Sequence, residues 1–292
     1  MTPKEVAIKL DQAIQEATDA LNTVLDKTQN SIYRLAVSRL KDLDVDPDGY
    51  IRASSANRKI IRGVNKAFDE GLVKGGYING LNKFTKTISV LDSLNAGYFE
   101  GIGKAFNANS LSIRSLQKQT LSTIESLLLN NGLETQIKAP LSNMLFQNIN
   151  SGGSYSGMLQ QVKDYIVGGD NEGKLMHYVK QITRDALNNY SRSYQSSVGN
   201  ALGLEFYQYV GGLMPESRDF CRDRAGGYFH QKEIESWANL SWKGKRSDTT
   251  ESSIFIYAGG ANCNHQIMPV STSIVPKQWI DRAIGLGFFN LS

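Results

Sequence analysis

Apolar residues recur at steps of three and four through roughly the first two hundred positions, and that spacing commits them to helix. It is clearest at the N-terminus. There Leu10, Ile14, Ala17, Leu21, Val24, Thr28, Ile32 and Leu35 form a narrow seam with a repeat of about 3.5 residues. The seam predicts one long helix from residue 3 to about 43, suited to packing on a partner helix as a weak coiled coil or within a bundle of the same chain. Pro47 and Gly49 then make a turn of the DVDPDGY stretch at 44–50 and stop the helix. Asp44, Asp46, Asp48, Gly49 and Ile51 match early positions of a calcium loop. The closing bidentate carboxylate is replaced by Ser55, so no strong calcium site is expected. Ser54 or Ser55 is expected to cap the next helix instead.

The charge balance changes after the turn. Arg52, Arg58, Lys59, Arg62, Lys66, Lys74, Lys83 and Lys86 face only Asp69 and Glu70 between 51 and 90. Ile60, Ile61, Val64 and Phe68 supply the apolar stripe of a helix, which leaves the basic residues on its solvated face. Such a face, densest at Arg52, Arg58, Lys59, Arg62 and Lys66, suits DNA phosphates or an acidic protein partner; it equally suits a plain soluble surface. Further helices are expected at 77–98, 112–130, 134–148, 158–166 and 174–199, with Gly, Asn and Pro140 at the breaks.

Near Leu204 the pattern shifts from helical to alternating. EFYQYVGG (205–212) reads as a strand, QKEIESWA (231–238) as a short helix, and SIFIYAGG (253–260) as a strand or extended segment. NHQIMPVS (264–271) reads as a final strand, which Pro269 places at a sheet edge. Pro276 opens a short helix. The apolar tail, with Phe288 and Phe289, is expected to need a partner surface. The fold class is therefore mainly α: a long N-terminal helix and helical bundle, followed by a small C-terminal α+β module. The divisions are 1–50 (long helix and acidic turn), 51–203 (helical domain), 204–275 (α+β module) and 276–292 (helix and tail).

Composition narrows the function classes. Of 292 residues, 40% are hydrophobic and 21% charged, as in an ordinary globular protein. A net charge of +4 is too mild to mark a nucleic-acid binder. There is no apolar run of membrane-spanning length and no apolar signal core at the N-terminus. Two cysteines point to synthesis in a reducing cytoplasm.

Both cysteines, all three tryptophans and two of the three histidines lie at or beyond position 221. Cys221, His230, Cys263 and His265 offer the four soft or borderline ligands that zinc takes in a tetrahedron. Cys263 and His265, two apart on a strand, would leave the same face. A hairpin over Gly226 and Gly227 would bring His230 to Cys221. The spacing contains no CxxC knuckle, and three alternatives stand beside zinc: a Cys221–Cys263 disulfide, a Cys–His nucleophile, or plain buried cysteines and histidines. No phosphate loop, HExxH or GxSxG is present, so no catalytic residue is assigned and an enzyme is not expected.

The block SRDFC, GGYF, WKGK, GGANCNH and PV resembles the C-terminal motif of phage minor head proteins, the Mu F-like head morphogenesis family. Arg218, Phe220, Cys221, Gly226, Phe229, Gly259, Gly260, Cys263, His265, Pro269 and Val270 carry the resemblance, and Asn264 stands where many relatives have a basic residue. It covers about 175–271, including the helix-to-strand lead-in at 178–211. It implies a minor structural protein at the portal vertex or inside the capsid, made in the host cytoplasm and carried in the virion. It further implies association with the portal protein and the major capsid or other head proteins, contact with packaged DNA in some members, and no membrane partner. Two other functions remain in view: a metal- or thiol-dependent hydrolase using the Cys/His cluster, and an internal DNA-binding virion protein using the basic segment.

Overall fold

The N-terminal seam folds as α1 (Pro3–Leu40). Its buried residues include Leu10, Ile14, Leu21, Leu25, Thr28, Ile32, Ala36 and Leu40. Val24 and Leu35 are only half-buried, and their neighbours Leu25 and Ala36 take their places. A straight helix drifts by about 20° per heptad from a 3.5-residue repeat, which accounts for the slide. The computed structural model describes residues 1–102, 107 and 110–290. Leu291 and Ser292 of the expected tail lie outside the described residues.

After α1 the 44–52 turn closes on itself. The Asp46 carboxylate accepts the amides of Asp48 (3.1 Å) and Tyr50 (2.8 Å), and Arg52 pairs with Asp44 at 3.4 Å. Ser54 is the cap of α2 (Ser55–Lys74), accepting the Asn57 amide. α2 runs into α3 (Tyr77–Ile102) through Gly76, whose φ of +83° suits glycine. α4 is Leu111–Leu128. The helix expected at 134–148 is longer and includes a π turn. α5 (Asn131–Leu133) leads through a π turn (Glu134–Lys138) into α6 (Ala139–Ser151). Pro140, at the start of α6, has no N–H to donate, and the preceding Ala139 amide reaches back to Glu134 in the wider π pattern. α7 (Tyr155–Ile166) and α8 (Lys174–Ala201) complete the helical part. Among the described residues, no helix is long and apolar enough to cross a membrane.

The chain forms two compact units that are discontinuous in sequence: 1–16, 86–121 and 184–292 make one, and 17–85 with 122–183 make the other. α1, α3, α4 and α8 each contribute to both, so the units do not follow consecutive stretches. In the second unit, glycines let backbones approach α1 closely. A Cβ at Gly71 would lie 2.5 Å from Ile32, at Gly75 2.4 Å from Thr28, and at Gly80 3.0 Å from Val24.

The first unit carries a three-stranded antiparallel sheet of order β2-β1-β3. β1 (Phe206–Val210) is central; β2 (Tyr228–His230) and β3 (Gln266–Val270) flank it. Pro269 does sit on an edge strand, opposite Tyr207, and its carbonyl accepts the Tyr98 hydroxyl at 2.6 Å. Short helices α9 (Asp219–Arg222), α10 (Gln231–Ser236), α11 (Ile254–Tyr257) and α12 (Lys277–Gly285) surround the sheet.

Three expectations are corrected here. Residues 254–257 are helical, not extended: the Ser253 hydroxyl accepts the Thr250 amide, and the Ile254 amide bonds Thr250 O, so local turn bonds override β-branched propensity. β2 pairs with β1, not with the Cys221 segment, because that segment is the helix α9. The Phe288–Phe289 pair also finds its surface within the chain: Phe289 meets Phe206 edge-on at 5.1 Å, and Phe288 stacks on His230 at 6.3 Å.

Candidate metal centre

Strand alternation sorts the candidate ligands. Tyr207 and Tyr209 leave one face of β1 and join a core with Phe220, Cys221, Phe229, Trp237, Cys263 and Ile267. Phe206 leaves the other face, toward Val270, Val275 and Ala283. His230 lies directly opposite Phe206, and cross-strand partners share a face. Its ring meets Phe206 edge-on at 5.2 Å, and its Nδ1 accepts the Lys232 amide at 3.2 Å as the cap of α10. Burial pushes its pKa down and favours the neutral ring. His230 is therefore not a ligand with Cys221; the two stand on opposite faces of the sheet.

The other three candidates do converge. One ligand atom from each of Cys221, Cys263 and His265 lies within 4.8 Å of the other two, and all three residues are buried. Cys221 comes from α9, and Cys263 and His265 from the loop entering β3. Cys263 Sγ is 3.7 Å from His265 Nδ1. A tetrahedral zinc with sulfur at about 2.3 Å and nitrogen at about 2.0–2.1 Å places those two atoms about 3.6 Å apart, so this spacing fits a metal. Both cysteines are free thiols. The buried cluster can hold a metal ion with two sulfurs and one imidazole nitrogen.

The surroundings hold these groups in place. The Tyr209 hydroxyl donates to Cys221 Sγ at 3.3 Å and lies 3.8 Å from Cys263 Sγ, while its ring stacks on His265 at 5.1 Å. Gly259 presses bare backbone against both sulfurs; a Cβ there would lie 2.5 Å from Cys221 Sγ and 2.9 Å from Cys263 Sγ. Arg192 of α8, buried, donates Nε to His265 O at 2.9 Å, Nη1 to Ile256 O at 3.0 Å, and Nη2 to Cys263 O. Arg218 donates to Gly259 O at 3.2 Å and Ala261 O at 2.6 Å, and Trp242 Nε1 donates to Gly259 O at 2.9 Å.

The two sulfurs are electrostatically unlike. The neighbouring Cys221 thiol holds Cys263 well below the usual thiol range, helped by His265 and Arg192 against the opposing effect of burial. Cys221 is pushed up by the same neighbour and by burial. A metal ion would bind both sulfurs as thiolates and release the protons they carry. Cys221, Cys263 and His265 also border a cavity of about 820 Å³, walled further by Asp11, Glu216 and Lys243.

Other motif residues close the module. Phe220 stacks on Trp242 at 4.0 Å and meets Trp237 edge-on. Phe229 meets Trp237 and Trp279 edge-on at 4.9 and 5.0 Å. Gly226 and Gly260 have φ of +82° and +96°, turns that suit glycine. Of the basic candidates, Arg58, Lys59, Arg62 and Lys66 are exposed on α2; Arg58 donates to Asn150 Oδ1, and Arg52 lies before the helix.

Sequence reasoning missed Arg192, Tyr209 and Asp11. Arg192 gave little signal: the residues three and four positions away, Asn188, Asn189, Gln195 and Ser196, are all polar, so no apolar stripe includes it. Asp11 adjoins the seam residue Leu10 but lies outside the seam itself. No family model, curated protein or solved structure matches this chain significantly.

Proposed function

We propose that this chain is a minor structural protein of a phage head, held at the portal vertex or the capsid interior, where it serves head assembly and DNA packaging or ejection. The observation that supports this best is how the motif block spends its residues. Arg218, Phe220, Cys221, Phe229, Gly259, Cys263 and His265 are turned onto one another, closing a small core. A motif used in this way specifies a folded module more directly than a reaction. Co-expression with the portal protein of the same virus tests the assignment. A stable complex, and particles lacking a normal portal vertex when this chain is deleted, are expected. Normal, infectious particles without the chain would overturn it.

The metal in this reading is zinc, in a structural role. Two thiolates and an imidazole form a soft-to-borderline donor set that zinc favours, supplying three of its four ligands, and the bare backbone of Gly259 packs against both sulfurs. When bound, the ion would tie α9 to the loop entering β3. Elemental analysis of the purified chain should return about one zinc per chain.

A second role is supported by the spacing of Arg58, Arg62 and Lys66, four residues apart and all exposed on α2. This row suits packaged DNA or an acidic head protein. DNA affinity that falls steeply with salt is expected, and salt-independent binding would reject it.

A further inference from the structure

The zinc reading leaves one ligand half-satisfied. His265 turns Nδ1 toward the Cys263 sulfur, yet its buried Nε2 has no hydrogen-bond partner. A metal-bound imidazole almost always gives its second N–H to a carboxylate, a carbonyl or water, which fixes the tautomer and makes the ligand nitrogen more basic. An unmatched carboxylate lies on the same cavity wall. Asp11 of α1 borders the cavity that His265 borders, and both belong to the first compact unit. Among the described residues, Asp11 accepts no hydrogen bond and joins no ion pair. Burial raises its pKa, and the charges of Arg184 and His265 oppose that rise. The other carboxylate bordering this cavity, Glu216, is exposed.

We infer that Asp11 is the positioning residue of the metal centre: with the ion bound, it accepts the Nε2 proton of His265 and so holds Nδ1 toward the ion. This rests on the zinc reading and adds a consequence to it. The first turns of α1 become part of the metal centre's support, so metal binding and the seating of the N-terminal helix favour each other.

The test is zinc titration of the metal-free chain against a competing chelator, for the unaltered protein, Asp11→Ala and Asp11→Glu. Alanine keeps helix propensity, so α1 itself is not weakened. Asp11→Ala is expected to lower zinc affinity about 10- to 100-fold, and Asp11→Glu to restore most of it. Long-range ¹H–¹⁵N NMR of the zinc-loaded protein adds a readout that a merely structural role would not move. His265 should be protonated on Nε2, with a downfield proton that exchanges slowly with water and loses that protection in Asp11→Ala. Zinc bound equally well by Asp11→Ala, or a rapidly exchanging Nε2 proton in the unaltered protein, overturns the inference while leaving the zinc centre standing. An unaltered protein that binds no zinc refutes the centre and the inference together. The NMR measurement on the unaltered chain decides the matter even if Asp11→Ala does not fold.

Discussion

Replacing Gly259 by alanine isolates the packing of the sulfur pair. The added Cβ would fall 2.5 Å from Cys221 Sγ, 2.9 Å from Cys263 Sγ and 3.2 Å from the Tyr209 hydroxyl. All three neighbours are buried, and the tyrosine hydroxyl and the two sulfurs are in contact with one another. The φ of Gly259 is not in the left-handed region, so the penalty is steric rather than conformational. Overpacking a tight core costs about 1–3 kcal/mol, and contact with two sulfurs at once puts this site in the upper half of that range. At about 2 °C per kcal/mol for a chain of this size, Tm should fall by about 4–6 °C. Chelator keeps metal out of the measurement, and guanidinium unfolding reads the free energy. Cys221→Ala removes the closest atom and costs about 1 kcal/mol by itself. The double variant keeps the contact with Cys263 Sγ but loses the closest one, so Gly259→Ala should cost less in the Cys221→Ala background, a coupling of about 1 kcal/mol. A Gly259→Ala protein within about 0.5 kcal/mol of the unaltered chain, or strict additivity with Cys221→Ala, would refute the described packing.

Three further outcomes follow from the same geometry. Arg192→Met strands the Cys263, His265 and Ile256 carbonyls and should destabilise the chain by about 3–5 kcal/mol, read by denaturant unfolding; a loss under about 1 kcal/mol would show that the guanidinium is not the clamp. His230 has a folded pKa below 6.5, mainly through burial, with Glu205, Glu235 and Glu233 opposing and Lys232 assisting. The unfolded chain therefore binds the extra proton first: stability is complete above pH 6.5 and falls as pH drops below it. His230→Gln should flatten this segment of a stability-against-pH curve, and an unchanged slope would contradict the burial. Millimolar calcium should leave Tm unchanged, since Asp46 and Asp44 are engaged within the turn and Ser55 stands where the bidentate ligand belongs; a rise of several degrees would overturn that.

The helices were legible because each repeats its apolar positions over many turns, and Ser54 and Pro276 mark two starts. Pro269 announced its edge. Short segments were less legible, since one local bond can outweigh propensity in four residues, as at Ile254–Tyr257. His230 was misplaced for a related reason. Its face depends on which residue of β1 it opposes, and that register is fixed only when β2 finds a strand twenty residues upstream. Cys263 and His265, two apart, do converge, but from the loop entering β3 and not from one face of a strand. Arg192 and Asp11 lie far from the cluster in sequence, and only the tertiary fold brings their chemistry to it.

The glycines against α1 make that helix a gauge of fixed pitch. Ile32, Thr28 and Val24 meet Gly71, Gly75 and Gly80 with no slack for a β-carbon. One residue inserted between Leu21 and Ile32 would turn everything on one side of it by about 100° and set different side chains against those bare stretches of backbone. Substitutions on the outward positions of α1 should therefore be tolerated freely in a mutational scan, while single insertions and deletions across 21–32 should be eliminated almost without exception.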